Sequence, residues 1–332
     1  MSADLEAARR ESWLAARREH VTSTMLASIM KLPDAYGSPM SVWLELKGLL
    51  EKDDSGAPAF MEAGIRLQPI ILEWYADRRG VAIEHVDPYE LAVCPEHPVL
   101  AASLDARYHR GDRRPVDGKN VRIKRPEQWG AEGTDQMPAR FVVQLHAQMI
   151  CTGTEMADLA VLFGGADPAW YEVARDPEIV AGCIEAAESF WTRHVLADVP
   201  PPVDGSEDWT RFLASRRERS ADLVRATPAA DALVAEYVQA RAVREDAEAR
   251  EKAARNKLAD LIGDAAGMVG TWGRISYKST KGRESTDWEA VARELAATTG
   301  TAADILEQYR LTHTSRSAGA RVFRPTLNAA QE

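Results

Sequence analysis

The chain has little cysteine. Its 332 residues include three, Cys94, Cys151 and Cys183, and they lie far apart. They form neither a disulfide framework nor a CxxC zinc pair, so a reducing compartment, the cytoplasm, is expected. The chain also lacks any apolar run near the length of about 18 residues needed to cross a bilayer. Its first twenty residues, MSADLEAARRESWLAARREH, have no apolar stretch of the kind a signal peptide carries. Nor is positive charge in excess. There are 41 Lys and Arg against 51 Asp and Glu, a formal net charge of −10. That balance argues against a protein coating nucleic acid over its whole surface, but it leaves room for a local basic groove. Repeats and low-complexity tails are missing too. What is present is an ordinary globular composition, 45% hydrophobic, long enough to bury a core without disulfides or a structural metal.

The patterning predicts helices first. They run from Ala3 to about His20, from Thr24 to Lys31, from Pro39 behind a Ser38 cap, and from Phe60 to Arg79. VAIEHV, ELAVCP, VLAASLDARY and PVDGKNVRIK are short, β-branched and separated by turn residues, and they read as a meander of strands. FVVQLHAQMICTG reads as a helix closed by Gly153, ADLAVLFGG as a buried strand and WYEVARD as an edge strand. A helix from Pro177 to Leu196 completes this part. The expectation is an α+β (α/β) core over 1–210, with a central mixed sheet flanked by helices and containing a strand–helix–strand crossover. PPPVDGSEDW marks the boundary. Over 211–332 the chain predicts an extension. Its parts are a long helix from Asp231 to Ile262, a hairpin in GMVGTWGRISYKSTKGR, a helix capped by Thr286 and a last strand in SAGARVFRP.

The strand pair carrying Asp105 and Asp117-Gly118-Lys119 is the main candidate for chemistry. Two acids on adjacent strands can share a divalent cation, for which oxygen ligands and open water positions suit magnesium. Lys119, two residues beyond Asp117, lies on the same strand face and can act on a water at the phosphate. Alone, the pattern is weak, and Asp117-Gly118 reads first as a turn dipeptide.

A longer set of words in order changes that weighting. VTSTMLASIMKLPDAYGSPMSVWLELKG, FMEAGIRLQPIILEWY, HPVLAASLDARY, VDGKNV, EQWGAEGTDQMPARFVVQLHAQMICTG, ADLAVLFGG and FWTRHV…PPPVDGSE follow one another. In this the chain resembles the YqaJ-type viral recombinases, phage alkaline exonucleases related to lambda exonuclease. The resemblance implies a restriction-endonuclease-like core with Asp105 and Asp117 as metal ligands for Mg2+ (or Mn2+). Lys119 would position the attacking water, and Gln144 and Gln68 would assist. It also implies 5′→3′ digestion of linear double-stranded DNA, a ring-like homo-oligomer and a single-strand annealing partner. A phage or prophage gene product in the bacterial cytoplasm is the setting it implies. Three positions depart from the family pattern. Met25 and Gln68 stand where the family has acids, and Asp117 is one methylene shorter than its Glu. A second registration places Arg122-Ile123-Lys124 on the strand. The alternative to an active enzyme is therefore a nuclease-fold protein that binds DNA and cuts weakly or not at all.

Between Arg107 and Arg125 the chain carries Arg107, Arg110, Arg113, Arg114, Lys119, Arg122, Lys124 and Arg125 against Asp112 and Asp117. This reads as a phosphate-backbone clamp around the proposed metal site, or as a solvated hairpin. A second basic stretch, Arg274, Lys278, Lys281 and Arg283, is interleaved with Trp272 and Tyr277. It reads as a single-strand stacking surface or as ordinary core. Trp43, Trp74, Trp129 and Trp191 read as packing residues, and His146 is assigned no role.

Overall fold

A computed structural model describes residues 3–50, 59–121, 128–216, 222–279, 288–300 and 303–313. The chain divides into two compact units between residues 217 and 218. In the first unit the order is α1 (Ala3–Arg17), β1 (Val21–Thr22), α2 (Leu26–Ile29), α3 (Pro39–Leu46), α4 (Ala59–Arg79), β2 (Ile83–His85), β3 (Ala92–Val93), β4 (Leu100–Ala102), β5 (Ala106–Tyr108) and β6 (Pro115–Val121). Next come α5 (Ala139–Thr152), β7 (Met156–Phe163), β8 (Asp167–Ala174), α6 (Pro177–Phe190) with a π-helical turn at Trp191–Leu196, and α7 (Glu207–Ser215).

Local chemistry explains the ends of these elements. Ser38 Oγ accepts from the Ser41 amide at 3.2 Å, with Pro39 at the first helical position of α3. Asp176 caps α6 by accepting from the Glu178 and Ile179 amides. Gly153, at φ 68°, takes the left-handed conformation that closes α5. The helix expected over Thr24–Lys31 is shorter, because Lys31 turns to φ 54° and Thr22 and Ser23 pair with the strand at Leu100–Ala101.

The expected meander does not form as one sheet. A five-stranded mixed sheet has the order β2-β5-β6-β7-β8, and β1-β4-β3 form a separate three-stranded sheet. The chain leaves one sheet after Ala102 and enters the other at Ala106, which places Asp105 at the junction. β6 and β7 are parallel, joined by α5 in the expected crossover, with Asp117 opposite Leu159 and Val116 opposite Asp158. β8 lies at the sheet edge, as its pattern predicts.

Helices cover both faces of the central sheet. α5 lays Phe141, Leu145 and Met149 on Leu159, Val161, Phe163, Tyr171 and Trp129. α4 lays Ile71, Leu72 and Tyr75 on Ala106, Val116, Ala160 and Leu162. The opposite side of α5, with Val143, Ala147 and Ile150, joins the core around β1, β4, α2, α3 and α6. All three cysteines are buried and unpaired. The expected boundary after residue 210 cuts α7, whose Trp209 and Phe212 pack on that same core.

The second unit contains α8 (Pro228–Ile262), a hairpin of β9 (Gly267–Gly270) and β10 (Gly273–Ser276), α9 (Trp288–Thr299) and α10 (Ala303–Thr312). The α+β core and the long helix with its hairpin thus match the expected fold class. Trp272 and Tyr277 are both exposed and are not core residues. The Thr286 cap, Lys281, Arg283 and the terminal strand lie outside the described residues. No helix among the described residues is long and apolar enough to cross a membrane.

Leu159 is the register partner of Asp117 and lies in the core under α5. Leu159→Ala is expected to lower stability by about 2–5 kcal/mol, measured as a shift of the urea unfolding midpoint.

Candidate active site

α5 is buried on nearly every side, with Phe141 and all residues from Val143 to Cys151 out of solvent. Three of those residues are polar, and a buried polar group must find partners. Gln144 and Gln148, one turn apart, each donate from Nε2 to Asp117 Oδ1 at 3.0 Å. His146 points elsewhere. Its Nδ1 donates to Val142 O at 2.8 Å, which leaves Nε2 to accept from the Asp176 amide at 3.1 Å. Burial lowers its pKa, and its work is to join α5 to the start of α6.

Asp117 sits in the middle of β6 and is 2% exposed. It is a strand residue and not part of a turn. Its Oδ2 takes the Lys119 ammonium as an ion-pair partner, without a well-directed hydrogen bond. The period-two alternation of β6 brings these two side chains to one face. Asp105 approaches from the junction just before β5 and is not itself a strand residue, its Oδ2 accepting from the Gly118 amide at 2.8 Å. Gln68 reaches it from α4, beside Pro69, which lies inside that continuous helix. Gly118 lets α4 pack closely over β6 at this point. A Cβ there would stand 3.3 Å from Gln68 Cγ and 3.4 Å from Leu72 Cγ.

The electrostatics follow from this crowding. Burial, and then the charge of Asp117, pushes the Asp105 carboxyl up to about 6, with Lys119, the Gly118 amide and Gln68 opposing. Burial works against the Lys119 ammonium, but Asp117 and Asp105 outweigh it and hold its pKa above the ordinary lysine value. At neutral pH Lys119 is therefore a cation and not a base.

The site thus brings together Asp105, Asp117, Lys119, Gln144 and Gln68. Gln148 is the functional candidate that sequence reasoning missed. Its spacing of four from Gln144 on an all-round buried helix was the available signal. Among the described residues no three His, Cys, Asp or Glu side chains form a metal-holding group. The donor set is nonetheless all oxygen. The two carboxylates are close enough to interact electrostatically, and the buried Gln148 Oε1 and Ser103 Oγ have no hydrogen-bond partner. Those residues fit a hard divalent cation.

The basic segment is less free than its sequence implies. Glu84 on β2 accepts from Arg107 at 2.5 Å and also pairs with Arg113, and these two arginines hold its carboxyl at about 2. Glu90 adds to Arg107 at 3.6 Å. Arg114 turns to the α4 face, where its Nη1 lies 3.2 Å from Asp158 Oδ1. Asp158 is fully buried and also accepts from Tyr75 and from Tyr108 at 3.1 Å. The expected clamp therefore loses Arg114 to an internal network, and acids from outside the hairpin offset Arg107 and Arg113. Arg110 is exposed and has no ion pair among the described residues. Arg122, Lys124 and Arg125, with the second registration, lie outside them.

Comparison with known proteins supports the resemblance drawn from the sequence. Residues 12–155 match the YqaJ-like viral recombinase domain, so the resemblance to YqaJ-type recombinases holds over that stretch. The protein YqaJ of Bacillus subtilis (strain 168), itself uncharacterised, is 24% identical over 302 residues, covering 86% of this chain and 91% of its own. The alkaline exonuclease LHK-Exo of Laribacter hongkongensis is 20% identical, with a TM-score of 0.43 over 57% of this chain and 94% of its own. A phage-related exonuclease of Haemophilus somnus 129PT is 12% identical, with a TM-score of 0.38 over 54% and 96%.

The raised pKa of Asp105 has a stability consequence with a definite sign. The folded state binds the Asp105 proton more tightly than the unfolded state does, so ionisation costs stability as pH rises from about 4 towards 6. Asp105→Asn, measured in EDTA, is expected to raise Tm by a few degrees at pH 8. The gain should vanish near pH 4.

Proposed function

We propose that the protein is a divalent-metal-dependent deoxyribonuclease, an exonuclease on linear double-stranded DNA that works 5′→3′ in a phage recombination system. The single observation that carries this reading is the facing of Asp105 and Asp117 across the Gly118 amide, with Lys119 on Asp117. The resemblance to YqaJ-type recombinases supports DNA as the substrate. Mg2+, with Mn2+ as a substitute, would be held by Asp105 and Asp117, with Gln68 contributing an amide oxygen. When bound, the cation supplies charge neutralisation at a phosphate and a more acidic water. The chain's own residues then have distinct tasks. Gln144 and Gln148 hold the Asp117 carboxylate in one orientation. Gln68 and the Gly118 amide hold Asp105. Lys119, kept cationic, orients the attacking water and offsets charge growing on the phosphate. The strand left behind would go to an annealing partner, and a ring of like subunits around the duplex would keep the enzyme on its substrate. The bacterial cytoplasm is the compartment in this reading.

A second reading has one specific observation in its favour. Both Asp117 oxygens are already engaged, and Gln68 adds no charge where an acid would. A protein so arranged would bind DNA and cut it weakly. Gln68→Glu separates the two readings: digestion rises if the site is weakened and changes little if it is competent.

With linear duplex and magnesium, wild type is expected to release nucleotides, and EDTA should stop it. Lys119→Ala should slow release by about 10²–10³-fold. Failure of wild type to digest over a wide magnesium range would sink the enzymatic reading.

A further inference from the structure

Tyr36 is an exposed aromatic, with 71% of its surface in solvent, in the loop between α2 and α3. It is nonetheless held. The Arg140 guanidinium carbon lies 5.0 Å from the Tyr36 ring centroid, and Arg140 Nη1 donates to Asp34 O at 2.6 Å. The same guanidinium carbon lies 4.5 Å from the ring centroid of Phe141, which is anchored in the core. A cation thus backs Tyr36, while most of its ring remains open. Arg140 itself has no carboxylate partner among the described residues, and its Nε is buried without a hydrogen bond.

The place of this pair on α5 gives it meaning. Arg140, Gln144 and Gln148 are spaced by four and form one row on the helix. Two members of that row grip Asp117. Arg140 continues the row by four residues, about 6 Å along the axis. Tyr36 is also close enough to contribute to the electrostatics of Lys119. An exposed tyrosine adds little to folding. A ring backed by a cation and open to solvent beside a phosphate-cutting site has the geometry for taking a nucleobase.

We infer that Tyr36 is a base-stacking platform for the DNA strand entering the Asp105–Asp117 site, with Arg140 holding the ring and presenting its charge to an adjacent phosphate. This inference rests on the reading of the protein as a DNA nuclease. It makes Tyr36 a substrate-positioning residue and assigns it no part in the bond-breaking step.

The test uses the full chain in EDTA, so that no strand is cut, and a linear duplex with 2-aminopurine at its 5′-terminal positions. Wild type and Tyr36→Phe should quench the 2-aminopurine on binding. Tyr36→Ala should lose the quench and bind about tenfold more weakly, the loss of one stacked base. Its Tm should be unchanged, because the side chain is exposed. Equal affinity and equal quench for Tyr36→Ala and wild type would overturn the inference and leave the nuclease reading standing. If wild type itself binds no duplex, the nuclease reading falls and this inference falls with it.

Discussion

The structure depends on one costly placement, the burial of the Asp117 carboxylate in the middle of a sheet. An isolated charge there would be untenable, so donors must be brought to it. Lys119 comes from the same strand, two residues on. Gln144 and Gln148 come from the helix that crosses from β6 to β7. That crossover brings the two glutamines over the strand they follow, and α5 is buried so completely that they have no alternative in water. Asp105 then approaches from the junction before β5 and accepts from the backbone amide of Gly118, the residue after Asp117. Burial first, and then the nearby charge of Asp117, raise the Asp105 pKa.

A second buried carboxylate mirrors the first. Asp158 lies on the neighbouring strand, one residue out of register with Asp117, and so faces the opposite side of the sheet. Tyr75 from α4, Tyr108 from β5 and Arg114 from just before β6 converge on it. The network ties α4 to β5, which starts just after Asp105, and to β7, the parallel neighbour of the strand that carries Asp117. α4 also carries Gln68. The polar cluster on one face thus fixes the position of the elements that build the site on the other.

The charge distribution follows the same logic. A net charge of −10 says little about the cleft, and the count of positive residues along the hairpin says less than it first suggests. Glu84, Glu90 and Asp158 are distant in sequence and adjacent in space, and they take up three of the arginines. Among the described residues, Arg110 on the hairpin turn and Arg140 on α5 have no acid partner.

Much of this protein was legible in one dimension. The Ser38 cap, the Gly153 stop, the buried β7 run, the edge strand β8 and the long α8 helix are local, because caps, left-handed turns and hydrophobic periods act within a few residues. The candidate acids and Lys119 were legible as well, though only as a pattern that a turn could equally explain. Tertiary structure alone decided that Asp117 lies in mid-strand, that the short strands divide between two sheets, and that Gln148 joins Gln144 while His146 turns away. It alone consumed Arg114 in the Asp158 network and set Tyr36 on Arg140. These outcomes hang on pairings between residues tens of positions apart. Periodicity can say which face of an element is apolar, but it carries no information about which partner will satisfy a buried charge.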